Sequence, residues 1–199
     1  LIIFSEFKDY YDFESVDRSI DEAGFWEIVI FGGGLWTRTL YKNVEQMPGA
    51  TCLRVNKVSK KYTIERYWNY DIKEDDSIQS IEQAANGMYL VLNNIFASLD
   101  KKEFYIMGMS GGMDSRITLA FLSKHIPRKN IKLFTYGFDK NILEHAYAKE
   151  VANALGVAAP DFHQLTAVSY KESLNYLPSL SGGQISINHC HMLDYFKKN

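Results

Sequence analysis

An α/β fold, a parallel sheet with flanking helices preceded by a smaller, mostly β segment, is predicted by three features of this 199-residue chain. Short apolar runs at 104–107 and 131–136 suit buried strands, and 161–165 can form a third strand. Helical patterns at 115–125 and 143–155 fill the gaps between them. Before residue 73, aromatic and β-branched residues dominate and are broken by turn signals. Strand, helix, strand, helix, strand at this spacing implies a parallel, right-handed unit. The expected division is a β-rich segment over 1–72 and a sheet domain over 73–199.

Taken in order, Ser19 and Glu22 form a capping box before the nearly all-apolar run from Phe25 to Phe31, so a helix is predicted over 20–31. Gly32-Gly33-Gly34 and Pro48-Gly49 mark turns. Residues 51–55 and 62–68 alternate as half-buried strands, and the polar stretch 56–61 joins them as a hairpin. From Asp75 the pattern changes. Ile78, Ile81, Ala85, Met88, Leu92, Ile95 and Leu99 recur at three- and four-residue steps, predicting a long amphipathic helix capped by Ser77 and held by packing of that stripe. Pro127 ends the helix that follows the first core strand, and Gly156 takes the C′ position after the next one.

Composition narrows the chemistry. There are 22 basic and 24 acidic residues, for a net charge of −2, and they form no footprint for nucleic acid or an anionic membrane. Cys52 and Cys190 have no CxxC spacing, so neither a disulfide framework nor a zinc site is indicated, and a reducing, cytoplasmic setting is expected. No apolar run is long enough to span a bilayer, and 1–4 lacks the basic flank of a signal peptide. The first residue is not Met and an apolar strand-like segment begins at once, so the chain is expected to start inside a longer polypeptide.

The turn from the 104–107 strand into the next helix reads Ser110-Gly111-Gly112-Met113-Asp114-Ser115. In a parallel sheet, ligands bind beyond the carboxyl ends of the strands, where this turn falls. Two glycines permit close backbone approach to an anion, and the first amides of the helix have no intrahelical partner. Those donors suit a pyrophosphate. Ser110 and Ser115 add hydroxyls, while Asp114, which alone would repel phosphate, makes sense as a magnesium ligand. The GxxxxGK[ST] pattern is absent, so this is not a Walker loop.

SGGxDS in a strand–loop–helix context resembles the N-type ATP pyrophosphatases, and the wider chain resembles their asparagine synthetase and β-lactam synthetase relatives. Beside SGGMDSR, the similarity includes Tyr136-Gly137-Phe138, then Glu144, Ala148, Val151, Ala152 and Leu155-Gly156. Upstream, residues 39–49 and Arg66-Tyr67-Trp68 resemble the end of a class II glutaminase domain. The resemblance runs from about residue 20 to the end of the chain, and its specific core is SGGMDS. It implies an adenine nucleotide alpha hydrolase-like fold and an AMP-forming carbon–nitrogen ligase. Such an enzyme uses ATP and Mg2+ to adenylate a small carboxylate, aspartate or similar, before attack by an amine or ammonia.

By the same resemblance, Ser110, Gly111, Gly112 and Ser115 would contact the pyrophosphate portion and Asp114 the metal. Met109, Tyr136 and Gly137 match positions whose backbone receives adenine, with simple packing as the alternative for their side chains. Arg116 replaces a serine common in the synthetases, and it can reach phosphate or a carboxylate or lie on a solvated helix face. Glu144 fits a helix start better than chemistry. No catalytic residue is assigned.

Two departures bear on this reading. Neither cysteine lies at an N-terminus as a glutaminase nucleophile. The sequence also stops at Asn199, before the second phosphate-side segment and the downstream lysine of the synthetases, so weak ATP binding and no turnover are expected of this chain alone. A non-catalytic ATP-binding module and a PP-loop enzyme that thiolates RNA or makes nucleotides remain alternatives. The oligomeric state is open, with a homodimer among the options. His189-Cys190-His191 reads as ordinary packing, because residues one and two apart face different sides of a helix. Gly32-Gly33-Gly34 and Ser181-Gly182-Gly183 read as turns.

Overall fold

Three strands, Tyr105–Gly108, Ile131–Gly137 and Asp161–Gln164, pair in parallel in that order, so their carboxyl ends share one edge. The computed structural model describes residues 2–72, 77–184 and 190–198. Its elements are α1 (Glu22–Phe31), β1 (Thr51–Val55), β2 (Tyr62–Arg66), α2 (Ile81–Ala97), β3 (Tyr105–Gly108), α3 (Met113–His125), β4 (Ile131–Gly137), α4 (Leu143–Ala154), β5 (Asp161–Gln164), α5 (Ala167–Ser181) and α6 (Cys190–Lys198). Short 3-10 turns lie at Phe7–Asp12 and Arg128–Asn130. Two units are formed, Glu74–Thr166 as one and Leu1–Lys73 with Ala167–Asn199 as the other.

In the Glu74–Thr166 unit, β4 is the central strand, and Ile131, Leu133, Phe134 and Thr135 are all buried. That explains its continuous apolar run: a strand covered on both faces cannot alternate. Leu119, Leu122 and Ile126 give α3 its inward face at helical spacing, and Ala148 and Ala152 do the same for α4. The two alanines are fully buried, small enough for α4 to lie close to its neighbours. Gly156, at φ +67°, lets the chain leave α4, and the Val157 amide returns to the Ala152 carbonyl at 2.9 Å. This is the Schellman closure that a glycine at C′ allows.

The long helix α2 keeps the predicted stripe only toward its carboxyl end, where Leu92 is half-buried and Leu99, just past the helix, packs against the core. No residue of α2 is buried, and Ile81 is 90% exposed. Its contact with α3 uses a face one step round, with Tyr89 and Phe96 meeting Phe121 at ring-centroid distances of 5.4 and 5.7 Å. Asn93, between them on that face, accepts from Lys124 Nζ at 2.9 Å. Because Met88, Leu90, Val91, Leu92, Ile95 and Phe96 spread apolar character over several sides, periodicity alone could not select the packed one. Ser77 does not cap this helix. Ser80 does, its hydroxyl accepting the Gln83 amide at 3.2 Å, and Asp75 lies outside the described residues.

In the other unit, α1 forms as predicted but Asp21, not Ser19, is its N-cap, accepting the Gly24 amide at 2.7 Å. Asp21 stands immediately before the first helical residue, from which a short carboxylate reaches the third amide. The hairpin β1–β2 forms in antiparallel register from Thr51↔Arg66 to Val55↔Tyr62. It is more exposed than predicted, since Thr51 and Leu53 are half-buried while β2 is exposed throughout. Leu53, Tyr62 and Ile64 line an open cavity of about 590 Å³ instead of a filled core. A ring cluster of Phe4, Phe7, Tyr10, Tyr11 and Tyr41 packs nearby in sequence and space, with the Tyr10 hydroxyl donating to the Asp17 carbonyl at 2.6 Å.

The face that α2 uses can be checked by paired truncations. Phe96→Ala is expected to lower unfolding free energy by about 1–3 kcal/mol, whereas Ile81→Ala changes it by less than about 0.5 kcal/mol. Urea titrations giving the reverse order would return the packed face to the original stripe.

Candidate functional site

β3 ends at Gly108 and α3 begins at Met113, leaving four residues, Met109 to Gly112, to turn the chain at the carboxyl edge of the sheet. Met109 continues the pairing, its amide donating to the Phe134 carbonyl at 2.7 Å while its side chain joins the core. Only its backbone is therefore available to a ligand. Gly112 is the N-cap of α3, with extended φ and ψ, and provides no side-chain cap. No protein acceptor engages the amides of Gly111, Met113, Asp114 or Ser115 among the described residues. The helix end thus keeps a set of open donors.

One amide is taken. Gly112 N–H donates to Ser110 Oγ at 3.2 Å, and the Ser110 and Ser115 hydroxyls share a hydrogen bond at 2.7 Å. Ser110, Gly112, Asp114 and Arg116 are exposed, and Gly111 and Ser115 half-buried. A side chain at Gly111 would place its Cβ 3.3 Å from Tyr147 Cδ2 and 3.6 Å from Glu144 Cα, so the loop rests directly against the first turns of α4. The fit at Gly111 is tight by contact, not by a left-handed backbone, so a side chain there would press on the Tyr147 ring. Arg116 turns back along its helix to the Gly111 carbonyl, donating from Nε at 3.1 Å and also from Nη2, and its guanidinium lies 6.0 Å from the Tyr147 ring centre.

Tyr136 and Gly137 close the central strand on the same edge, and the Gly137 carbonyl accepts the Leu165 amide at 2.8 Å. Gly137 is crowded, with a Cβ there falling 2.8 Å from Ile142 Cδ1. Glu144 sits in the first turn of α4, where a carboxylate favours the helix dipole. The structure therefore brings Met109, Ser110, Gly111, Gly112, Asp114, Ser115, Arg116, Tyr136 and Gly137 to the ends of two adjacent strands. Asp114 is exposed in the first turn of α3. Magnesium typically takes one or two carboxylates and completes its shell with phosphate oxygens and water, so a lone accessible Asp beside open amides fits Mg-ATP.

The weaker candidates go elsewhere. His189 lies outside the described residues, and Cys190 and His191 open α6. Gly32, at φ +79°, is the C-cap of α1, and Gly182 and Gly183, at +60° and +80°, follow α5 as a turn. Tyr147 was not singled out in the sequence, because an aromatic one turn into a helix carries no signal of the loop it meets.

Residues 104–183 match the family model described as asparagine synthase, a span that takes in β3, the glycine loop, α3, β4, α4, β5 and α5. A comparison with curated proteins finds no match. No helix among the described residues is long and apolar enough to cross a membrane.

Behind the site, Thr135 on β4 and His145 on α4 are both buried, and Thr135 Oγ1 and His145 Nδ1 are hydrogen-bonded at 2.5 Å. The ring of Phe162 lies 5.0 Å away. Burial, reinforced by the positive charge of Lys149, holds the imidazole below its ordinary value of 6.5. A histidine lowered in the fold binds fewer protons than in the unfolded chain, so its contribution to stability is complete above 6.5 and lost as pH falls toward the lowered value. Unfolding free energy should therefore decline as pH falls below 6.5, and His145→Gln should flatten the decline. An unchanged slope in that variant would assign the effect to other groups.

Proposed function

We propose that the loop from Ser110 to Ser115 holds the polyphosphate of Mg-ATP in an AMP-forming ligase of the asparagine synthetase type. A carboxylate oxygen of a small acid, aspartate or similar, attacks the α phosphorus. The bond from that phosphorus to the bridging oxygen breaks, pyrophosphate leaves, and the acyl-adenylate is open to an amine or ammonia. Adenylation converts a poor leaving oxygen into a good one. The observation carrying this reading is the row of open amides at Gly111, Met113, Asp114 and Ser115, on the carboxyl edge of a parallel sheet and within the matched span.

The chain's own residues bind and orient. The open amides receive phosphate oxygens, and the Ser110 and Ser115 hydroxyls, now bonded to each other, are positioned to be redirected to them. The backbone of Met109, Tyr136 and Gly137 forms the adjacent edge for the adenine. Asp114 would hold magnesium, which when bound neutralises charge on the phosphates. Residues 1–72, which hold one helix and one short hairpin and are not mostly β, are read as the end of a class II glutaminase domain, a reading that the hairpin leading into Arg66-Tyr67-Trp68 supports.

An anion at a partly buried helix end gains up to about 2 kcal/mol, whereas micromolar affinity corresponds to about 8 kcal/mol. Weak Mg-ATP binding is therefore expected of this chain, visible as shifts of the loop amides in NMR titrations. Asp114→Asn should weaken it by at least roughly tenfold, the loss typical of removing even an outer-shell partner of a metal, without changing the thermal unfolding midpoint. Equal magnesium-dependent affinity in the variant would remove Asp114 from this role, and silence of all loop amides toward Mg-ATP would defeat the proposal itself.

A further inference from the structure

The peptide joining Gly111 to Gly112 is gripped from both sides. Its carbonyl accepts Nε of Arg116 at 3.1 Å together with Nη2, and its N–H donates to Ser110 Oγ at 3.2 Å. Ser110 Oγ is in turn tied to Ser115 Oγ at 2.7 Å. Arg116 and Ser115 are neighbours on the first turns of α3, so the loop is fastened to the helix that follows it at two points. Gly111 also rests on Tyr147, whose ring is within 6.0 Å of the guanidinium.

Two successive glycines are the part of a chain that loses most conformational freedom on ordering, and an unrestrained Gly-Gly turn would sample many states in which its amides diverge. We infer that Arg116 is a positioning residue: its forked guanidinium fixes the Gly111 carbonyl, and thereby the direction of the flanking amides, before any nucleotide arrives. It also covers a backbone oxygen that would repel a phosphate. Arginine suits this task because two parallel donors fix a carbonyl in direction as well as distance, whereas a lysine offers a single point charge and a serine is too short to reach back one turn. The inference rests on the nucleotide reading of the loop, and it replaces a phosphate contact by Arg116 with an indirect role.

The test uses the whole chain, labelled with 15N, as wild type, Arg116→Ala and Arg116→Lys. Without nucleotide, the alanine variant should show faster hydrogen exchange and a lower order parameter at Gly112, with its thermal midpoint unchanged because Arg116 is exposed. Titrated with Mg-ATP, it should bind about tenfold more weakly, and the lysine variant should recover only a small part of the loss. Weaker Mg-ATP binding with an undisturbed free loop would overturn the inference and make Arg116 a direct phosphate ligand. No change in either measurement would place it on a merely solvated face. If wild-type loop amides ignore Mg-ATP the nucleotide reading falls, while exchange at Gly112 still decides whether the clamp exists.

Discussion

The bond from the Met109 amide to the Phe134 carbonyl, at 2.7 Å, is the rung on which the site hangs. It extends the parallel pairing of β3 with β4 one residue past Gly108, so the chain must turn at Ser110 and can turn nowhere earlier. Since β4 is buried almost throughout, that rung is anchored to the least movable part of the unit. The Met109 side chain then enters the core, and the next backbone groups are delivered to the carboxyl edge, where a parallel sheet leaves room for a ligand. The placement of the glycines is thus decided by strand pairing and core packing before any property of the loop is considered.

A second contact sets how the loop meets its surroundings. α4 approaches closely through Ala148 and Ala152, and its first turns reach Gly111 with the Cα of Glu144 and the ring of Tyr147. The bond between Thr135 and His145 fastens α4 to the central strand just before Tyr136 and Gly137. One helix therefore touches both the phosphate side and the adenine side of the proposed site. A shift of α4 would disturb the two together, which gives a packing reason for the small residues on its inner face.

Most of the sheet unit was legible in the sequence because several signals agreed. The buried central strand β4 has an unbroken apolar run, α3 and α4 have helical spacing, and Pro127 and Gly156 mark their ends, whereas the similar run at 104–107 belongs to an edge strand that leaves Phe104 and Ile106 exposed. Legibility failed where a signal was degenerate. The apolar residues of α2 surround it, so the stripe with the best spacing was not the one that meets Phe121. Caps were misplaced because serines and aspartates cluster before both α1 and α2, and only the residue adjoining the helix can reach its third amide. In the loop, SGGMDS was readable as a motif, but the direction of Arg116 was not. A long side chain with five donors can be satisfied in many ways, and spacing does not distinguish a carbonyl one turn back from a phosphate.

The internal bonds of the free loop bear on what recognition there must involve. Exchanging the Ser110–Ser115 hydroxyl bond for bonds to a phosphate would replace one neutral hydrogen bond, of net value about 0.5–1.5 kcal/mol, by two to a charged group, of about 1.5–3 kcal/mol each. Those hydroxyls would also serve a neutral ligand, so they give only part of any selectivity for an anion. The rest would come from charge: the positive end of α3, the open amides that continue it and, in the proposed site, a cation that Asp114 would hold. Asp114 stands in the same turn, and its carboxylate would oppose a bare phosphate there. Under the proposed function, a nucleotide arriving with its metal would reverse the sign of the Asp114 contribution, which would account for an acidic residue beside these open amides.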